Sequence, residues 1–121
     1  AFKDARYREG SDYANFDYKG KKITVAICGD LWHDDLIERF RVADSDFLLW
    51  PLYTNYEIET WESGEKDEYA QRVACLNRPV LMVNCFDDGE DIARGGAFVF
   101  EQGRVSQELP MGETGILLVD C

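Results

Sequence analysis

The chain has 121 residues, 45% of them hydrophobic, and a formal net charge of −11. That length fits one domain, and the apolar content suffices for a packed core and argues against disorder. The acidity repels phosphate backbones and anionic lipid, which speaks against nucleic-acid and membrane partners, and no apolar run approaches the length of a membrane span.

Residues 1–20 are polar and aromatic, with Gly10 and Gly20 as breakers, and read as a loop plus an extended segment. "KKITVAIC" reads as a strand. Its nearly continuous apolar run, Ile23 to Ile27 with one Thr, suits burial on both faces, as in a parallel sheet. "HDDLIERFRVAD" predicts a helix with Leu36, Ile37, Phe40 and Ala43 as its apolar stripe, and with Asp34 and Asp35 in the first turn, where the helix dipole favours negative charge. "DFLLWPL" is a second buried strand, expected to stop at Pro51. "YTNYEIETWESGEK" reads as a long loop carrying Tyr53, Tyr56 and Trp61. "DEYAQRVACLN" predicts a second helix, with Tyr69, Val73 and Leu76 on one face, ended by Pro79. "VLMVN" is a third buried strand, "GGAFVFEQGRVSQEL" a hairpin turning at Gln102-Gly103, and "GILLVDC" a final strand. The alternation of strand and helix gives an α/β fold with a parallel core. The strand leading to Cys28 is expected at its centre, flanked by the strands at 46–52 and 80–84, with both helices on one sheet face.

The cysteines are Cys28, Cys75, Cys85 and Cys121. Their wide spacing, with His33 as the sole imidazole, excludes a standard zinc site, and neither a metal nor a cofactor is indicated. A disulfide framework does not suit so much apolar strand, which points to a reducing, cytoplasmic compartment. Cys28 sits where a buried strand stops. In open α/β sheets functional groups gather beyond the carboxyl ends of the parallel strands. A thiolate there can attack a carbonyl carbon, with the Gly29 N–H free to receive the oxyanion, Gly29 itself allowing a tight turn. The alternative is a buried structural cysteine.

Candidate partners for Cys28 are fewer. His33, five residues on, is either its base or a surface residue at a helix start. Trp32, Tyr53 and Thr54 follow strand ends and either line a small substrate pocket or simply pack. Asp30 is suited to capping the following turn. "FDDGED" at 86–91 lacks the ligand spacing of a calcium loop and reads as solvated. A thiol redox role lacks a resolving cysteine near Cys28 in sequence.

Several segments match a family pattern in order. "KITVAICGDLW" is similar to a strand of the form "igvaIC" followed by a small or acidic residue, an acid and often an aromatic. "ADSDFLLWP" is similar to a strand ending in Pro, "YAQRVACLNRPVLMVNC" to a helix with Arg, Ala and Asn leading to a strand ending in Asn, and "GGAFVFEQGRV" to a "GGS" strand and turn, with Ala97 in place of the usual Ser. The opening "AFKDARYREG" is similar to "FDExRYFxxG". Together they resemble the nitrilase, or carbon–nitrogen hydrolase, superfamily, including its amidases and the glutaminase domains of NAD synthetases.

The resemblance implies a four-layer αββα sandwich. It implies catalysis by a Glu base, a Lys that steadies the oxyanion, and a Cys that forms a thioester with the acyl half of an amide. The family Cys corresponds to Cys28, and a second, structural acid to Asp4, one methylene shorter than the usual Glu. Nothing in residues 1–27 matches the segments of the catalytic Glu and Lys, and Lys3 does not. The chain starts at Ala1 and stops within a strand at Cys121. Residues 1–121 are therefore expected to form one partial domain, the C-terminal half of a hydrolase, inactive alone. One sheet face would need a partner layer, from the missing half or from a second copy in a homo-oligomer. The substrate would be a small amide: glutamine, a short linear amide or an N-carbamoyl compound. The other reading is a nitrilase-like binding or assembly module whose chemistry has lapsed, a divergence that Gly29 and Ala97 suit.

Overall fold

A computed structural model describes residues 13–120. Asp4 and Lys3 lie outside these residues, as does Cys121. Strand β1 (Ala14–Tyr18) turns through Lys19 and Gly20 into β2 (Lys21–Val25). A short 3-10 turn (Cys28–Trp32) leads to α1 (Asp34–Val42) and then to β3 (Phe47–Leu52). A helix follows in three joined pieces: α2 (Ile58–Thr60), a π turn (Trp61–Glu65) and α3 (Lys66–Arg72). After a second 3-10 turn (Ala74–Leu76) come β4 (Val80–Asn84), the small hairpin β5 (Phe86–Asp87) and β6 (Ala93–Arg94), and the hairpin β7 (Ala97–Glu101) and β8 (Arg104–Leu109).

The main sheet runs β1-β2-β3-β4-β7-β8. β2, β3 and β4 are parallel, while β1, β7 and β8 join antiparallel. The α/β class with a parallel core and a C-terminal hairpin therefore holds. The expected strand order does not: β3, not β2, is the middle parallel strand, because β2 spends its other edge on β1. The hairpin at Gln102-Gly103 is as expected, with both turn residues at positive φ (54° and 78°), the requirement of a type I′ turn.

Three further expectations are corrected. Pro51 does not stop its strand, and β3 continues to Leu52. Alternation along β3 explains this. Leu48 N and Leu52 O bond on the β4 side, and Leu49 O accepts from Ala26 on the β2 side. Pro51 shares the side of Leu49, where the β2 ladder has already ended at Val25, so its missing N–H costs no sheet bond. The presumed loop at 53–66 is helical from Ile58 onward, and its Trp61 is fully buried. The π turn inserts a residue between Trp61 and Tyr69, which breaks the 3.6-residue period that would have revealed the helix. Finally, residues 115–120 form no strand, and Ile116 and Leu118 are each 85% exposed. No ladder edge receives them among the described residues.

The core lies between one sheet face and the helices. Leu48 and Trp50 of β3, Val80 and Met82 of β4, and Phe98 and Phe100 of β7 meet Ile37 and Phe40 of α1 and Tyr69, Ala70 and Val73 of the second helix. Arg78 fastens the end of α1 by donating to the carbonyls of Arg41 and Ala43. The opposite sheet face carries Phe16, Tyr18, Leu49, Leu81 and Val83, half-buried or exposed, beside the buried Ile23 and Val99.

Candidate active site at the end of β2

Four non-glycine residues have positive φ among the described residues: Lys19 and Gln102 in hairpin turns, Asn77 at a helix end, and Cys28. Cys28 alone of these opens a 3-10 turn, the others lying in hairpin turns or just past a helical turn. It has φ 49° at the exit of the first parallel strand. A left-handed non-glycine residue costs about 1–3 kcal/mol and persists where its surroundings over-determine it. The strained residue at this corner is thus Cys28, not Gly29. Gly29 has no positive φ, and a Cβ built on it would meet nothing beyond its chain neighbours within 4 Å among the described residues. It leaves open space in front of the backbone instead of supplying the turn.

The surroundings that hold the corner are identifiable. The Asp30 carboxylate accepts from Ile27 N at 2.9 Å, and Asp30 N donates to Ile27 O at 3.0 Å, so Asp30 closes the turn as a cap. The Trp50 indole N–H donates to Cys28 O at 2.8 Å. At the far end Arg72 Nε donates to Leu31 O at 2.6 Å and its Nη2 to Asp34 Oδ1 at 3.0 Å, while the guanidinium lies 5.7 Å from the Trp32 ring. Cys28 is an exposed residue with a free thiol. Cys75 and Cys85 are exposed as well, so exposure alone does not single it out.

Behind the corner stands an aromatic cluster centred on Tyr69. Its ring is 5.0 Å from Trp32 and from Trp61, 5.5 Å from Trp50 and 6.2 Å from Tyr56. Burial pushes the Tyr69 phenol up. Hydrogen bonds with the Tyr56 and Thr54 side chains act against this, and the nearby Cys28 and Glu65 push it further up. Burial also raises Tyr56, helped by Tyr69 and Glu65. Thr54 is held by Asn84, whose side-chain oxygen accepts from Thr54 N at 2.9 Å and whose amide donates to Thr54 O at 3.3 Å.

The structure therefore brings Cys28, Gly29 and Trp32 together on one turn, with Thr54 joined to them through Tyr69. Tyr53 points elsewhere, its hydroxyl donating to the Asp91 carbonyl. His33 starts α1 at the surface, with no hydrogen bond from its imidazole to the thiol among the described residues. The described residues contain no cluster of side chains able to hold a metal ion, and no helix is long and apolar enough to cross a membrane. Sequence reading missed Trp50, Tyr69, Glu65, Arg72 and Asn84. The strand-end Asn84 and the helix Arg72 were visible as motif positions, whereas Trp50 looked like ordinary strand core.

No family model and no curated protein matches the chain. Solved structures do. Glutamine-dependent NAD+ synthetase from Acinetobacter baumannii superposes with a TM-score of 0.72 at 22% identity, over 90% of this chain and 21% of that one. A mutant amidase from Nesterenkonia sp. AN1, with the acetamide moiety of fluoroacetamide added covalently at its active site cysteine, gives 0.67 at 17% identity, over 87% and 40%. A carbon–nitrogen hydrolase from Helicobacter pylori G27 gives 0.66 at 12%, over 86% and 41%. The chain shares the fold of part of each of these structures and spans less than half the length of each.

Proposed function

We propose that this chain carries the nucleophile of a carbon–nitrogen hydrolase acting on a small amide. The carrying observation is Cys28: a free thiol on an exposed, left-handed residue, held from both sides, at the exit of a parallel strand. In this reading Cys28 Sγ attacks the amide carbon and an S–C bond forms. The tetrahedral oxyanion takes a hydrogen bond from Gly29 N–H. The C–N bond then breaks, the amine leaves with a proton, and water hydrolyses the thioester to the acid. Trp32 and Thr54 border the acyl group.

The Glu base and the Lys come from sequence outside these 121 residues, and Asp4 supports them. The 121 residues alone turn over little or no amide, since members of a cooperating catalytic set are grossly non-additive. The open apolar sheet face takes the other layer of the sandwich, from the rest of the domain or from a second copy. Glutamine, short linear amides and N-carbamoyl compounds all fit this chemistry.

The test is partial inactivation of the full-length protein with iodoacetamide, followed by peptide mapping. Activity is expected to fall in step with Cys28 labelling, ahead of Cys75 and Cys85, and Cys28→Ala should be inactive. Loss of activity with Cys28 unmodified, or full activity of Cys28→Ser, would remove the assignment.

A further inference from the structure

The Trp50 indole is fully buried, yet it bonds the backbone of the residue proposed as nucleophile. Trp50 lies in the middle parallel strand, stacked on Tyr69 at 5.5 Å, and its N–H spends itself on Cys28 O. That carbonyl belongs to the same peptide unit as the Gly29 N–H. The unit is planar and trans, so its C=O and N–H point in opposite directions. Fixing the carbonyl toward the buried indole therefore fixes the Gly29 N–H away from it. Among the described residues the space beside Gly29 is open, with no heavy atom beyond its chain neighbours within 4 Å of where a Cβ would stand. The other anchors of the turn act elsewhere: Asp30 holds Ile27, and Arg72 holds Leu31. Among the described residues, Trp50 is the side chain that bonds the peptide plane carrying the oxyanion donor. A hydrogen bond accepted by the carbonyl also polarises the N–H of the same unit, which strengthens it as a donor.

We propose that Trp50 is a positioning residue for catalysis: its indole N–H, by holding Cys28 O, aims and polarises the Gly29 N–H toward the oxyanion. This rests on the reading of Cys28 as nucleophile. It makes a separable demand, because a donor aimed at an oxyanion matters for acyl transfer and not for alkylation, which passes through no oxyanion.

The experiment uses the full-length protein and para-nitrophenyl acetate as the acylating probe. Trp50→Phe removes the donor and keeps a ring. Benzothienylalanine incorporated at position 50 keeps the shape of the indole and replaces its N–H with sulfur. Losing an oxyanion donor outright costs about 10²–10³ in rate, so misaiming it should slow acylation about 10- to 100-fold, with the half-saturating probe concentration nearly unchanged. The rate of Cys28 alkylation by iodoacetamide should stay close to that of the unmodified protein. Unchanged acylation in either folded variant overturns the proposal. So does a parallel fall in acylation and alkylation, which would mean that the indole merely holds the turn together. If Trp50→Phe does not fold by circular dichroism, the benzothienylalanine protein decides. Cys28→Ala is run beside them. Should it acylate as fast as the unmodified protein, the nucleophile reading fails, whatever the Trp50 variants do.

Discussion

Along β4 the side chains alternate between two environments. Val80, Met82 and Asn84 enter the helix-covered layer at 0%, 1% and 4% exposure, while Leu81 is half-buried and Val83 is 56% exposed. β3 repeats the contrast, with Leu48 and Trp50 at 0% and Leu49 only half-buried. Both faces are apolar, yet helices cover only one among the described residues; on the other, Ile23 and Val99 are buried by their neighbours while Leu49, Leu81 and Val83 are not. Near-continuous apolar runs are the signature of strands sandwiched on both sides. The proposed function gives the other face a second layer to receive, as in half of an αββα sandwich. The covered face also backs the Cys28 corner, since Trp50 and Tyr69 belong to it and Trp50 bonds Cys28 O.

The contrast between the faces can be tested by mutation. The largest effect is expected on the covered side. Phe98→Ala removes a ring packed 5.2 Å from Trp61 and parallel to Phe100, and should cost about 3–5 kcal/mol in denaturant unfolding. A cost near zero would show that this face is loosely packed.

Next comes the link between the covered layer and the corner. Arg72→Met keeps the apolar stem but leaves the Leu31 carbonyl without its donor, and should cost about 1–3 kcal/mol. It should also lower turnover of the full-length protein.

On the open side, Val83→Ala should change the stability of the 121-residue chain by within about 0.5 kcal/mol, as surface changes do. Once a second layer covers that face, the same change should cost more than about 1 kcal/mol. Equal costs in both settings would mean that the face stays exposed.

The smallest effect is at the exposed Lys22–Asp44 pair near the sheet rim, at 2.8 Å. Hydrogen bonding to Lys22 holds the Asp44 carboxyl below its usual value of 3.8. A depressed carboxyl contributes stability above its unfolded value and loses it as pH falls through the folded one. Asp44→Asn should therefore change neutral-pH stability barely measurably, because exposed pairs are screened. Whatever difference exists should shrink as pH drops below 3.8. A large effect at neutral pH would contradict the exposure of this rim.

Much of this fold was legible in the sequence for local reasons. The strands around Ile23, Leu48 and Val80 announced themselves through continuous apolar runs, α1 through its stripe and acidic first turn, and the β7–β8 hairpin through Gln102-Gly103. The errors fell where a local pattern was incomplete. At 58–66 the π turn spoiled the helical period and the Gly64 and acidic residues imitated a loop. At 115–120 an apolar run had the composition of a strand but pairs with no edge among the described residues.

By itself the sequence determined that this is an α/β protein with three buried parallel strands, and that a cysteine stands where the first of them ends. Those properties follow from periodicity and composition within short windows, because side-chain burial repeats at the period of the backbone. The tertiary structure alone decided that β3 is the central parallel strand, that Cys28 and not Gly29 takes the left-handed conformation, and that the Trp50 indole holds the Cys28 carbonyl. Each of these depends on residues more than twenty positions apart meeting in space. Asp30 braces the strained corner from within its own turn, but the Trp50 bond that completes the brace arises only through the fold.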